Sequence, residues 1–179
     1  MKNKIKHTLP NLLTFINLSL GIIALLFAIK DDLIQASLLV MVAALTDRFD
    51  GKVARMLDST SELGKELDSL SDLISFGVAP IIISWKISFF HFGILGYLLA
   101  VLFPIAGAYR LARYNITTFN NVFCGVPITI AGAFLSIVNL YNCFAIERSR
   151  YTNLNSIICA VIIVLLSYLM VSKIQIKKR

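Results

Sequence analysis

Six apolar runs, each broken by a short polar stretch, set the pattern of this chain. The first runs from about 9 to 29, with Pro10 in its opening turn, where a missing N–H costs little. Lys30-Asp31-Asp32 makes a turn, and a second helix starts near Leu33, stays apolar to Thr46 and continues as a charged stretch to about Leu57. The third run covers about 60 to 85 with Pro80 as an expected kink. The fourth covers 92 to 113 with Pro104 inside it, the fifth 122 to 141 with Pro127 near its start, and the sixth 154 to 172. A bilayer core needs about 20 apolar residues in helical form. The pattern therefore predicts an all-α fold: an integral membrane bundle of six transmembrane helices, in one domain over residues 1–179. The N-terminal run is longer than a signal-peptide core and no small-x-small cleavage site ends it, so it is expected to stay as the first helix.

Composition agrees: 58% of the 179 residues are hydrophobic, and the mean hydropathy is +0.80. A net charge of +7 points to a membrane surface and not to nucleic acid, because of where the charge lies. With both termini cytoplasmic, that side holds 13 of the 17 basic residues: Lys2, Lys4, Lys6, Arg48, Lys52, Arg55, Lys65, Arg110, Arg113, Lys173, Lys177, Lys178 and Arg179. The other four, Lys30, Lys86, Arg148 and Arg150, fall outside, an asymmetry that sets this orientation in the cell membrane. Cys124, Cys143 and Cys159 form no C-x-x-C pair and read as small core residues.

Against that apolar background the stretch 47–72, DRFDGKVARMLDSTSELGKELDSLSD, stands out. Ser59 and Glu62 have the spacing of a capping box, so a short turn should fold helices two and three into an antiparallel hairpin. Counting from the outer ends, Asp47 lies 14 residues past Leu33 and Asp72 lies 14 before Lys86. At the rise of an α-helix both sit roughly 21 Å deep, and Asp50 and Asp68 roughly 26 Å. Asp47, Asp50, Gly51, Ala54 and Arg55 share one helical stripe; Gly64, Asp68 and Asp72 share another. If the stripes face each other, four carboxylates line one cavity open to the cytoplasm. They cannot all stay ionised together without protons or cations among them. Oxygen-only ligands suit Mg²⁺, Mn²⁺ or Ca²⁺, and a pair of such ions is a known clamp for phosphoryl transfer. Gly51 and Ala54 leave room for a ligand, while Lys52 and Arg55 supply positive charge for phosphate. A proton- or cation-coupled transporter would also use intramembrane acids, and a lipid-binding scaffold is a third class; clustering at one end of one hairpin, without an inverted repeat, favours the transferase.

The pattern D-x-x-D-G-x-x-A-R-x8-G-x-x-x-D-x-x-x-D, from Asp47 to Asp72, resembles the signature of the CDP-alcohol phosphatidyltransferases at every fixed position. The resemblance implies a six-helix membrane enzyme, commonly a homodimer, that displaces CMP from a CDP-linked lipid. It implies that Asp47, Asp50, Asp68 and Asp72 hold two divalent ions, Mg²⁺ or Mn²⁺, with Asp72 as general base. It places Asp47, Gly51, Lys52, Ala54, Arg55 and Gly64 around the CDP group. A finer likeness, carried by PNLLTFINLSLG, SELGKELDSLSDLISFGVAP, YRLARYN and GVPITIAG, is to the bacterial membrane-integral branch that joins CDP-diacylglycerol to L-serine. Arg110 and Arg113, one turn apart, and Asn115 are then candidates for holding the acceptor. The arginines fit a serine carboxylate or the phosphate of glycerol 3-phosphate or an inositol phosphate, and they also suit snorkelling to lipid headgroups, so their chemistry alone leaves the acceptor open.

Overall fold

In this computed structural model the described residues are 2–56, 61–116, 122–173 and 175–177; for 2–10, 50–56, 122–124 and 175–177 only the backbone is described. Six long helices form: α1 (Lys2–Ile29), α2 (Leu33–Met56), α3 (Glu62–Phe89), α4 (Ile94–Ile116), α5 (Ile128–Glu147) and α6 (Asn153–Val171). Five of them, all but α2, have described spans long and apolar enough to cross a membrane by length and composition. In α2 the apolar part ends at Thr46, where the charged stretch begins. A short antiparallel ladder pairs β1 (Val122–Cys124) with β2 (Gln175–Lys177), so the basic C-terminal tail is tied to the loop ahead of α5.

Several boundaries differ from the pattern, each for a local reason. The α3 cap is Ser61, whose side chain accepts from the Gly64 N–H, and the helix opens at Glu62; Ser59, expected in a capping box, lies outside the described residues. The fifth helix starts at Ile128 and not at 122, because Gly125 takes φ +77 and Pro127, with no N–H, serves as the N-cap. It then runs on to Glu147, which shortens the expected 141–153 outer loop to a turn closed by Ser149 at φ 53. Pro80 does not break α3. The helix widens to a π-turn over Leu73–Val78 just before it, which accommodates the hydrogen bond that proline cannot donate.

The core is built from small contacts and a few large side chains. Ala24, Ala28, Ala36, Val40 and Ala43 are fully buried between α1 and α2. Helix α3 is the most enclosed of the candidate spans, with Phe76, Ile81 and Ile83 buried among its neighbours. Its backbone lies directly on α5: a Cβ on Gly132 would sit 2.4 Å from the Phe76 carbonyl oxygen. Higher up, Ser84 donates to Asn139 Oδ1 at 2.7 Å and Asn139 Nδ2 donates to the Pro80 carbonyl at 2.9 Å, joining α3 and α5 by a buried polar link. At the outer end Lys86 Nζ reaches the Ala28 and Ile29 carbonyls and pairs with Asp31, which levels α3 with the α1–α2 turn. The counted depths of the acids rest on that levelling.

Gly132→Ala should push α3 and α5 apart, because backbone atoms cannot yield as a flexible side chain would. A loss of about 1–3 kcal/mol is expected from such overpacking, readable as a lower thermal unfolding midpoint in detergent.

Candidate active site

Three carboxylates from α2 and α3 meet. Asp47, Asp68 and Asp72 each offer an oxygen, and the three oxygens lie within 4.8 Å of one another. The hairpin stripes do face each other where the side chains are described. Asp68 and Asp72 are one helical turn apart on α3, and Asp47 comes across from α2 after its last apolar turn. Asp72 is buried, at 8% exposure; Asp47 and Asp68 are half-buried. Asp50, Gly51, Lys52, Ala54 and Arg55 fall in the last turns of α2, and their side chains lie outside the described residues. Gly64 lies in the first turn of α3, where a Cβ would come 3.0 Å from Ser61 Oγ and 3.2 Å from Asn11 Oδ1.

Helix α1 is fastened to α3 beside the carboxylates. Ser71 Oγ donates to the Thr14 carbonyl at 3.2 Å and Ser75 Oγ to the Asn17 carbonyl at 3.0 Å. Gly21 lets the helices close further, since a Cβ there would be 2.8 Å from the Ser75 Cα. This contact carries the fully buried Asn17 to the site, where its Nδ2 faces Asp72 Oδ1 at 3.4 Å. From the opposite side Thr129 Oγ1, in the first turn of α5, faces Asp72 Oδ2 at 3.5 Å. Asp47 is within hydrogen-bonding reach of both Asp72 and Thr129. The first turn of α5 is itself keyed into the bundle. Ile128 fills the notch left by Gly107 and Gly77, and its Cδ1 would be 2.4 Å and 3.4 Å from a Cβ on each.

The donor set suits a hard divalent cation. It is oxygen only, and the negative charge of three clustered carboxylates calls for an opposite charge. Neutral oxygens stand beside them: the Thr129 hydroxyl, and Asn17 Oδ1, which is buried and has no hydrogen-bond partner among the described residues. A cation among these groups would offset both the repulsion and the unmet acceptor.

The structure separates the three residues of α4 that the sequence grouped for the acceptor. Arg110 is buried at 8% exposure, near enough to Asp72 for their charges to attract, and its Nε has no hydrogen-bond partner among the described residues. Arg113 instead donates to the Val171 carbonyl at 2.8 Å and the Ser172 carbonyl at 3.2 Å, closing the end of α6. Asn115 donates to Glu66 and Ser69 of α3, and its carbonyl accepts from Lys65 Nζ at 2.9 Å. Asn17, Thr129 and Tyr114, whose ring oxygen is coupled to Arg110 and Asp68, are site neighbours that sequence reasoning missed. Asn17 had a usable signal, an amide in the middle of an apolar span. Thr129 had none, since threonine is common in such helices.

Comparison with known proteins agrees with this geometry. The sequence profile of the CDP-alcohol phosphatidyltransferases matches residues 7–174. A CDP-diacylglycerol–serine O-phosphatidyltransferase of Helicobacter pylori is 35% identical over 175 residues, 94% of this chain and 71% of that one. One of Bacillus subtilis is 34% identical over 168 residues, covering 93% of this chain and 88% of its own length. An archaetidylserine synthase of Methanothermobacter thermautotrophicus is 35% identical over 170 residues, 93% of this chain and 68% of that one. With the family profile matched over residues 7–174 and relatives aligned along nearly its whole length, the chain belongs to the CDP-alcohol phosphatidyltransferase family.

Proposed function

We propose that this membrane enzyme transfers the phosphatidyl group of CDP-diacylglycerol to the hydroxyl of L-serine, giving phosphatidylserine and CMP. The observation that carries the reading is the Asp47–Asp68–Asp72 cluster faced by the buried guanidinium of Arg110. Relatives that span most of the chain and carry the serine-transferase name support serine as the acceptor. The basic-residue asymmetry supports a site on the cytoplasmic side of the cell membrane with both termini there, and the family likeness supports a homodimer.

In this reading Asp47, Asp50, Asp68 and Asp72 hold the divalent ions. Asp47, Gly51, Lys52, Ala54, Arg55 and Gly64 receive the CDP group. A bound pair of Mg²⁺ or Mn²⁺ ions supplies charge compensation for the diphosphate and for departing CMP. Asp72 takes the proton from the serine hydroxyl. The serine oxygen attacks the lipid-side phosphorus in line, a new P–O bond forms, and the P–O bond to CMP breaks. Arg110 holds the serine carboxylate, the one charge-bearing group that a guanidinium can grip bidentately on that substrate. Arg113 and Asn115 serve the same pocket by fixing the end of α4 that carries Arg110. Catalysis then lies mainly in positioning and in charge stabilisation away from water.

Asp72→Asn should lower the turnover of CMP release by about 10²–10⁴, the range of a lost general base, in membranes given CDP-diacylglycerol, serine and Mn²⁺. Full activity would remove Asp72 from that role. Chelation with EDTA should abolish release and added Mn²⁺ or Mg²⁺ should restore it. Arg110→Gln should raise KM for serine by about tenfold or more, as expected for a lost charged hydrogen bond, with KM for CDP-diacylglycerol little changed. Labelled serine, glycerol 3-phosphate and inositol phosphate offered in parallel should give product with serine alone.

A further inference from the structure

The carboxylates of Asp68 and Asp72 share one face of α3 but are restrained differently. Asp68 receives no hydrogen bond among the described residues; it stands beside the Asp47 carboxylate. Asp72 is met on each oxygen by a donor from a different helix, Asn17 Nδ2 of α1 on Oδ1 and Thr129 Oγ1 of α5 on Oδ2. A carboxylate held at one oxygen can still rotate about its last side-chain bond. With a donor facing each oxygen, at 3.4 and 3.5 Å, rotation takes the Asp72 carboxylate away from one of them, so these long contacts favour one setting of its plane.

Thr129 is suited to this task in three ways. Its β-branched side chain has a stiff first torsion. Its place is fixed by its neighbour Ile128, which is 1% exposed in the Gly77–Gly107 notch, so that the first turn of α5 cannot slide along α3. Its hydroxyl faces Asp72 Oδ2 from α5, so one small group links the start of α5 to the acid-bearing face of α3.

We infer that Thr129 is a positioning residue: together with Asn17 it fixes the orientation of the Asp72 carboxylate toward the acceptor hydroxyl. This rests on the reading of Asp72 as the base. Thr129 acts through Asp72 and not on the substrates themselves. Its effect is on how often Asp72 points the right way, and so on turnover more than on substrate affinity.

The test compares Thr129→Val, which keeps the shape and removes the hydroxyl, with Thr129→Ser, which keeps the hydroxyl and removes a methyl group. Both are purified as full-length chains in detergent and assayed for CMP release, with thermal unfolding followed in parallel. Thr129→Val should lower kcat about ten- to a hundredfold, the scale of a slight misplacement of a catalytic group, with smaller changes in either KM and an unmoved thermal midpoint. Thr129→Ser should recover most of that rate. Unchanged kcat in Thr129→Val overturns the inference. So does a loss shared equally by Thr129→Ser, or a loss that tracks a fallen midpoint. Asp72→Asn in the same series separates the two readings. If it stays active, the base assignment fails. If it is inactive while Thr129→Val turns over at full rate, only the positioning role fails.

Discussion

Everything in this bundle answers to the burial of carboxylates in an apolar helix pair. An ionised acid within a membrane span is costly unless it finds an opposite charge, hydrogen bonds or both. Here three acids are gathered together, one of them nearly sealed from solvent. The surroundings reduce that cost in layers. Amide and hydroxyl donors come from α1 and α5, and a guanidinium comes from α4. The charge of the three clustered carboxylates leaves room for a cation among them.

The packing serves that arrangement. Small residues appear where helices must close around the acids. Gly21 allows α1 to touch α3 beside Asn17, Gly77 and Gly107 receive Ile128, and Gly132 seats the Phe76 backbone. The π-turn of α3 begins at Leu73, immediately after Asp72, and such turns are frequent at functional sites. A wider turn there changes the angular relation between Asp72 and the rest of α3. The acids can then face Asp47 while Phe76 and Ile81 stay in the core. Away from the site, Arg113 closes the end of α6, and the β1–β2 ladder ties the C-terminal tail to the segment ahead of α5.

Much of this was legible in the sequence. Apolar runs show themselves because a bilayer allows only long helices, and six runs gave six helices. The carboxylate level was also countable, since a helix converts residue number into depth at a fixed rise and the outer ends share one level, which Lys86 and Asp31 secure. The signature from Asp47 to Asp72 named the chemistry because its spacing is local to one hairpin. Less legible were the ends. The start of α5 was misplaced because a strand and a glycine turn can carry the same apolar residues as a helix, and β1 forms only by pairing with a tail some fifty residues later.

By itself, then, the sequence determined the fold class and pointed to four acids on facing stripes, of which Asp47, Asp68 and Asp72 meet and the side chain of Asp50 lies outside the described residues, because such stripes follow from helical periodicity within single segments. Tertiary structure decided which residues from other helices attend the acids. Arg110 turns in, while its neighbours Arg113 and Asn115 turn to α6 and α3. Asn17 and Thr129, 112 positions apart, close on one carboxylate. No spacing rule records such meetings. They depend on how close two helices can approach, and that was settled by a few glycines and one isoleucine at the crossings.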